Sequence, residues 1–352
     1  MKNSVKLDII PFNVESASEQ DWKKFHIFRR KRHEEAQPND PVVPDQDYQK
    51  ILLIPPTRTK VLRFNVFESN NPDLQVADIY FSYFTSGHDM DTAMVNLGVL
   101  ANHRHKGIGF KLYCKILELA KEFGKSRIML QSIEEEGMKA IEHFGAEKIS
   151  DKEQFRLAIE DINWQVVDKW LEQTENIANK VKIEWLSKIP DEVMDQYARI
   201  YTTALDEHPK WHISKLKNFP VVTPEMITHD FEQFTAKGGK WIIGIIREKN
   251  GDISGLTELK WTPIRPEKLL QFITHIKLKY RGKGRGKLLK ASAIKYITKE
   301  FPNIKSIQTG FVGEKEKPLF KINEQLGFKL FFHTATYEIN IANLEDWIKS
   351  HS

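Results

Sequence analysis

The hydrophobic pattern of the chain repeats one series of elements in each half. A short strand-like run comes first, followed by polar helical stretches, the longest at residues 21–35 and 191–207. Three runs rich in β-branched and aromatic residues follow, at 60–68, 76–85 and 93–99 and again at 241–247, 253–261 and 269–278, as is typical of strands. A glycine-rich turn then precedes a helix whose apolar residues fall at helical spacing: Ile108, Leu112, Ile116 and Leu119, then Leu288, Leu289, Ala293 and Ile297.

Each half closes with a further strand, a short helix and a pair of strands. The strand pairs are predicted at 146–149 with 155–159 and at 329–332 with 335–339. Antiparallel strands ahead of the helix differ from the strict alternation of a dinucleotide-binding fold. The pattern therefore predicts a mixed α/β (α+β) fold in each half.

Short motifs recur at a nearly constant offset, which indicates a duplicated domain. The Arg-x-x-Gly-x-Gly turn at 104–109 returns at 281–286, and an Asn-x-Pro-Val-Val motif at 39–43 returns at 218–222. Three further residues have identical counterparts 177 positions later: Leu112 and Leu289, Asn163 and Asn340, Trp170 and Trp347. We expect two tandem domains, residues 1–175 and 176–352.

The composition is that of a globular chain. Of 352 residues, 40% are hydrophobic and 29% are charged, and no window approaches the ~20 apolar residues of a membrane span. The first residues lack the apolar run of a signal peptide. One cysteine, Cys114, can form neither an internal disulfide nor a cysteine-rich metal site, so we expect a reducing, cytoplasmic compartment, no membrane and no metal.

One segment is strongly basic although the net charge of +5 is mild. Seven lysines and arginines and no acid lie between residues 277 and 290. A solvated loop and helix face is one interpretation, and a binding site for a polyanion is the other. Because glycines rather than exposed aromatic residues alternate with these cations, a nucleic-acid partner is not expected.

The two glycine-rich turns are the strongest chemical signal in the chain. Glycine permits a positive φ and a close approach of another group to the backbone. Where a strand becomes a helix, such a turn directs several amide N–H groups and the positive helix end at one point. This arrangement favours a phosphate or diphosphate ligand, and neither turn has the sequence of a kinase-type phosphate loop.

The turns and their surroundings resemble the acetyl-coenzyme A signature of the GNAT superfamily of N-acetyltransferases. The signature reads Val99-x4-Arg104-x-x-Gly107-Ile108-Gly109 in the first half and Ile276-x4-Arg281-x-x-Gly284-x-Gly286 in the second. The Leu-Gly-Phe sequence at 326–328 also resembles the end of the family's short helix. The duplicated layout is similar to that of tandem members such as mycothiol synthase.

The resemblance implies two tandem acyl-CoA N-acyltransferase domains, each a twisted, mostly antiparallel sheet that splays open to hold pantetheine. Acetyl-CoA would donate its acetyl group to a small-molecule or peptide amine. The amides of Val99 and Ile276 would stabilise the developing oxyanion. The residues that the resemblance assigns to acetyl-CoA are Val99, Arg104, His105, Lys106, Gly107, Ile108 and Gly109, then Ile276, Lys277, Leu278, Arg281, Gly282, Lys283, Gly284, Arg285, Gly286, Lys287 and Asn323.

Both halves depart from the family at the usual acid–base positions. A glutamate six residues before the valine or isoleucine is common in the family, but this chain has Ala93 and Leu270 there. The family's tyrosine in the short helix is replaced by Ile141 and Asn323. This departure leaves the identity of the base open.

Two residues of the second half are candidate bases. Glu258 lies on the strand-like run before the signature strand, where it could reach an amine through water or form a cross-strand ion pair. His275 adjoins Ile276 and, by strand alternation, faces the opposite side of the sheet. The second half also has the richer basic turn, so we expect turnover in residues 176–352. The alternative is a protein that binds acetyl-CoA as a sensor or scaffold without turnover.

Overall fold

The computed structural model describes residues 5–54, 59–86, 89–207, 221–311 and 318–352. The elements of the first half are β1 Leu7–Pro11, α1 Glu19–Ala36, α2 Asp45–Leu53, β2 Thr59–Glu68, β3 Asn71–Phe84, β4 Thr92–Val99, α3 Ile108–Glu122, β5 Arg127–Ser132, α4 Glu135–His143, β6 Glu147–Ala158, α5 Trp164–Gln173 and α6 Glu175–Ala178. Those of the second half are β7 Val181–Leu186, α7 Asp191–Asp206, α8 Pro224–Ala236, β8 Lys240–Glu248, β9 Ile253–Trp261, β10 Lys268–Ile276, α9 Arg285–Glu300, β11 Ser306–Phe311, α10 Pro318–Leu326, β12 Lys329–Asn340 and α11 Ile341–His351.

The chain forms two compact units that do not coincide with the sequence repeat. The first unit comprises Met1–Asp151 and Thr334–Ser352, and the second comprises Lys152–His333. The two tandem domains expected from the repeat, residues 1–175 and 176–352, stay a prediction.

Each unit contains a mostly antiparallel sheet, which confirms the predicted mixed α/β fold. The order is β1-β2-β3-β4-β5-β12 in the first unit and β6-β11-β10-β9-β8-β7 in the second. One strand pair in each is parallel: β4 with β5, and β10 with β11. Helices α3 and α9 cover one face, where their apolar residues join the strands in a hydrophobic core.

Both sheets splay open beside the parallel pair. In the first unit β4 and β5 are paired over 92–95 and 127–130, whereas β4 continues to Val99. In the second unit β10 and β11 are paired over 268–270 and 306–308, whereas β10 continues to Ile276. The strand before each glycine-rich turn therefore ends in backbone that no described residue pairs with on that side.

The predicted pairs of closing strands are wrong. Residues 147–158 and 329–340 each form one continuous strand, β6 and β12. Neither segment contains the glycine or proline that a tight turn would favour, and each strand extends from one unit into the other. Thus β12 completes the sheet of the first unit by pairing with β5, and β6 completes that of the second by pairing with β11.

Helices α1 and α2 cover the other face of the sheet in the first unit. Ser18 and Asp21 form a reciprocal cap at the start of α1, an arrangement that satisfies otherwise unpaired N–H groups. Trp22 and Phe25 anchor the helix against Phe12. This anchoring holds the next turns of α1 above β3 and β4. No helix in the described ranges is long and apolar enough to cross a membrane.

Candidate functional site

The two glycine-rich turns have the backbone conformation that the sequence predicts. Gly107 and Gly284 precede α3 and α9 with φ of 77° and 79°, values in the left-handed region that favours glycine. Neither helix has a side-chain cap at its first turn, so its first amide N–H groups have no side-chain partner there. Both turns thus offer the donors that a diphosphate requires.

The first turn is open and the second is covered. A Cβ atom at Gly107 or Gly109 would meet no atom within 4 Å. A Cβ atom at Gly284 would lie 2.9 Å from Ile177 Cδ1 and 3.3 Å from Thr174 Cγ2. Side chains beside α6 therefore contact the second turn at Gly284, although a Cβ atom at Gly282 would meet no atom within 4 Å, and no side chain lies as close to the first turn.

Most cations around the second turn have partners within the same unit. Lys277 and Lys279 lie 2.6 and 2.7 Å from the Asp252 carboxylate, and Lys287 lies over the Trp170 ring. Three further pairs complete this set: Arg281 with Glu207, Arg285 with Glu248, and Lys283 with the carbonyl of Lys279. Three carboxylates thus pair with four of the seven cations of the basic segment, and Lys283 and Lys287 keep their charge without a carboxylate among these contacts.

The cations of the first turn divide into one paired and two unpaired residues. Arg104 contacts Glu134 at 2.8 Å and also Glu136, and its Nε donates to the Val99 carbonyl at 3.2 Å. His105 and Lys106 are exposed, with no ion pair to any other described residue. These two side chains are available to an exposed phosphate.

The amides of Val99 and Ile276 point into the splayed gaps. The next residue along each strand donates its N–H to the neighbouring strand, Leu100 to Val76 at 3.0 Å and Lys277 to Ser254 at 2.9 Å. Because successive residues of a strand direct their N–H groups to opposite sides, the Val99 and Ile276 amides face away from β3 and β9. Both are placed as an oxyanion donor would need.

Glu258 is sealed inside the second unit. The side chain is fully buried on β9, where it accepts a hydrogen bond from the hydroxyl of Tyr197, itself 1% exposed. Burial raises the pKa of the Glu258 carboxyl, and the Lys260 ammonium 3.8 Å away partly offsets this effect. Tyr197, a residue of α7, covers the Glu258 carboxyl.

His275 is also buried, on the sheet face that the sequence predicts. It pairs with Leu256 on β9, and its Nδ1 lies 3.8 Å from a Glu207 carboxylate oxygen. Burial lowers the pKa of His275, so the imidazole favours its neutral form. Its 7% exposure leaves no open path for a substrate amine.

Asn323 and Lys290 make the interior of the second unit unusually polar. Asn323 on α10 is 5% exposed, and its Oδ1 has no hydrogen-bond partner among the described residues; such an atom fits a polar ligand. Lys290 on α9 is fully buried and donates to Gln271 Oε1 at 2.7 Å, where β10 leaves β11. Burial lowers the pKa of Lys290 to about 7.

We expect Lys290→Met to stabilise the second unit by about 1–4 kcal/mol at neutral pH, because it removes a buried cation without a carboxylate partner. The lowered pKa of Lys290 means that the unfolded chain binds more protons between about pH 7 and 10. The free energy of unfolding should therefore rise with pH in this window in the wild type and rise less in the variant. Urea unfolding across this range measures both, with exposed Lys299 changed to methionine as control. Equal pH slopes in all three proteins would contradict the prediction.

Asp78, which no sequence motif singles out, lines a cavity of about 220 Å³ in the first unit. The cavity lies between α1, α2 and the β3–β4 face, and it opens at the exposed residue Asn96. Burial raises the pKa of Asp78 to about 6, against the lowering effects of the Arg32 guanidinium and the Gly98 backbone. An acid in the middle of an apolar strand was the signal available in the sequence, because aspartate is depleted in strands.

Gly98 allows this acid to reach the signature strand. Asp78 and Gly98 are paired directly across β3 and β4, one residue before Val99. A Cβ atom at Gly98 would lie 2.8 Å from Asp78 Oδ1 and 3.0 Å from Arg32 Nε. Only glycine permits so close an approach, and it brings the Asp78 carboxyl against the residue directly before Val99.

The second unit has different residues at the positions that correspond to Asp78 and Gly98. The register of β9 and β10 places Leu256 opposite His275, directly before Ile276. An apolar side chain thus occupies the place of Asp78, and an imidazole occupies that of Gly98. A cavity of about 470 Å³ in this unit lies between α7 and α8, is lined by acids such as Asp191 and Glu232, and includes none of the predicted site residues.

Comparisons with known proteins agree with this geometry. The Acetyltransferase (GNAT) family matches residues 77–145, a range that contains Asp78, the signature strand and the open turn. The comparison with curated proteins gives no match.

The fold is similar to those of several solved structures. A tandem GNAT protein from the clavulanic acid biosynthesis pathway has a TM-score of 0.67 and 17% identity, over 96% of this chain and 99% of that one. A GCN5-related N-acetyltransferase from Sphaerobacter thermophilus has a TM-score of 0.60 and 11% identity, over 95% and 96%. A glucosamine N-acetyltransferase region of a fungal multi-domain GH3 β-N-acetylglucosaminidase has a TM-score of 0.65 and 13% identity. The similarity covers 95% of this chain and 38% of that one.

At these identities the solved structures establish the fold alone, and the family match covers one segment of the first unit. The chain therefore has the fold of the tandem GNAT protein, and its residues 77–145 match the Acetyltransferase (GNAT) family.

Proposed function

We propose that this protein is an N-acetyltransferase that transfers an acetyl group from acetyl-CoA to a primary amine, in the reducing cytoplasm that its single cysteine favours. We assign turnover to the first unit. The observation that carries this assignment is the Asp78 carboxyl in an open cavity beside Val99. The sequence-based prediction of turnover in residues 176–352 remains the competing assignment.

Acetyl-CoA would supply an activated acetyl thioester, and the residues of the first unit would position and deprotonate the acceptor. The open amides at the start of α3, with Lys106 and His105, suit the diphosphate. The Val99 amide suits the carbonyl oxygen as negative charge develops there. Asp78, with a pKa of about 6, is mostly ionised at neutral pH and can take the amine proton as the carbon–nitrogen bond forms and the carbon–sulfur bond breaks.

A binding role without turnover is the second candidate, and it suits the second unit. Its turn is covered by Ile177 and Thr174, and both of its predicted bases are buried. The unpartnered Oδ1 of Asn323 still favours a polar ligand in this unit. Coenzyme A held there would act on stability or regulation rather than on chemistry.

Thiol release from acetyl-CoA in the presence of a panel of primary amines tests the proposed function. We expect amine-dependent thiol release together with an acetylated amine detected by mass spectrometry. Isothermal titration with coenzyme A counts the binding sites independently of turnover. Binding of coenzyme A without thiol release for any amine would favour the sensor or scaffold, and absence of binding would exclude both.

A further inference from the structure

We propose that the acceptor is a small amino acid with an apolar or aromatic side chain, bound by its amine at Asp78 and by its carboxylate at Arg63. This inference rests on the proposed function of the first unit and names the class of its acceptor. It is carried by the cavity and by Arg63 beside it, which has no anionic partner among the residues that the structure describes.

The size and walls of the cavity limit the acceptor to a small molecule. Its volume of about 220 Å³ is below the ~300–1,000 Å³ of sites for drug-sized ligands, so a folded protein or an extended peptide chain does not fit inside it. Phe25, Phe28 and Tyr48 form an aromatic wall. A compact molecule with one apolar or aromatic group matches this wall.

The two arginines that line the cavity are already paired. Arg29 donates to Asp45 at 2.7 Å and to the Val43 carbonyl at 2.8 Å. Arg32 donates to Glu35 at 2.7 Å and to Glu134 at 2.6 Å. Neither guanidinium therefore needs a further anion.

Arg63 on β2 differs from both. Its guanidinium lies 5.1 Å from the centre of the Tyr80 ring, and across the part of the chain that the structure describes no carboxylate lies within ion-pair distance of it. Burial lowers the pKa of Arg63, and the groups nearest to it electrostatically include Tyr48 and Asp78, which line the cavity. A partly buried cation without an anion is costly, and a substrate carboxylate would remove this cost.

The positions of Arg63 and Asp78 on the sheet suit an amino acid. Arg63 is paired with Tyr80, two residues from Asp78 on the same face of β3, so Arg63 and Asp78 are diagonal neighbours about 7–8 Å apart at the backbone. Of these two residues, Asp78 is the nearer to Gly98 and Val99 on β4. The amine of a bound amino acid would thus face the signature strand while its carboxylate faces Arg63.

The test compares amino acids with the same amines lacking the carboxylate: phenylalanine with phenethylamine, and leucine with 3-methylbutylamine. Because hydrogen bonds to charged groups contribute more than neutral ones, we expect kcat/KM to favour the amino acid by about 10- to 100-fold. Arg63→Met should abolish this preference by raising KM for the amino acids alone. Arg63→Lys should restore part of it, and Lys60→Met, which removes an exposed lysine of the same strand, should change nothing.

A binding measurement separates failure of this inference from failure of the proposed function. Isothermal titration of phenylalanine into the protein saturated with coenzyme A should show binding in the wild type and not in Arg63→Met. Turnover of amines that is equal with and without the carboxylate would overturn the inference and leave the acetyltransferase intact. Absence of both binding and turnover for the amino acids would overturn it as well.

Discussion

Replacing Asp78 with asparagine should lower turnover by about 10²–10⁴-fold, the usual contribution of a general base, with little change in affinity for acetyl-CoA. Asparagine keeps the size of the side chain but cannot accept the amine proton. Since Asp78 has a raised pKa of about 6 and acts in its ionised form, wild-type kcat/KM should increase with pH through this value. The pH–rate profile of the variant should lack that limb.

Glu258→Gln is the matched control, because it removes the candidate base of the second unit. We expect turnover near the wild-type level in this variant, since the Glu258 carboxyl is fully buried behind Tyr197. Loss of turnover in Glu258→Gln with a normal Asp78→Asn enzyme would return the activity to residues 176–352. Normal turnover in both variants would point to an amine that is deprotonated in solvent.

Gly107→Asp should weaken binding of acetyl-CoA to the first unit by about 100-fold, because it removes or opposes several charge-assisted hydrogen bonds. The new carboxylate would stand at the start of α3, among the amides that suit the diphosphate. Isothermal titration measures the loss. Gly107→Ala is the control for backbone strain alone, because a Cβ atom there meets no neighbour and adds no charge.

The same substitution in the second turn discriminates between the units. Gly284→Asp changes a glycine of nearly identical φ, but one already covered by Ile177. We expect turnover to survive Gly284→Asp and to be lost in Gly107→Asp. The reverse result would show that α6 moves aside and that the second turn holds the reactive acetyl-CoA. Binding at the first turn should also weaken as salt increases, since Lys106 and His105 are exposed.

Local features of the site could be read from the sequence because they depend on few neighbouring residues. A left-handed backbone before a helix requires glycine, so Gly107 and Gly284 fixed both turns without knowledge of the rest. The runs of β-branched and aromatic residues indicated the strands, and the repeat offset indicated that the same fold occurs twice. Strand alternation predicted that His275 and Ile276 lie on opposite faces of the sheet.

The closing strands show where local patterning failed. Residues 147–158 and 329–340 each have apolar residues on both sides of polar ones, a pattern that predicts a hairpin as well as it predicts one long strand. The choice depends on which strands are available to pair. Here β5 is the partner of β12 and β11 is the partner of β6, in different units. The sequence of β6 or β12 alone does not specify its partner strand.

The sequence by itself determined the duplication, the mixed α/β fold and the two glycine-rich turns, because each follows from backbone conformation or from residue order. Only the tertiary structure decided which turn is open, which cations are already paired and which acid faces a cavity. Those properties depend on side chains far apart in the chain, such as Ile177 over Gly284 and Asp78 beside Gly98. The number of basic residues and the motifs favoured the second half as the place of turnover. Burial and access govern whether a charged group can meet a substrate, and they favour the first unit.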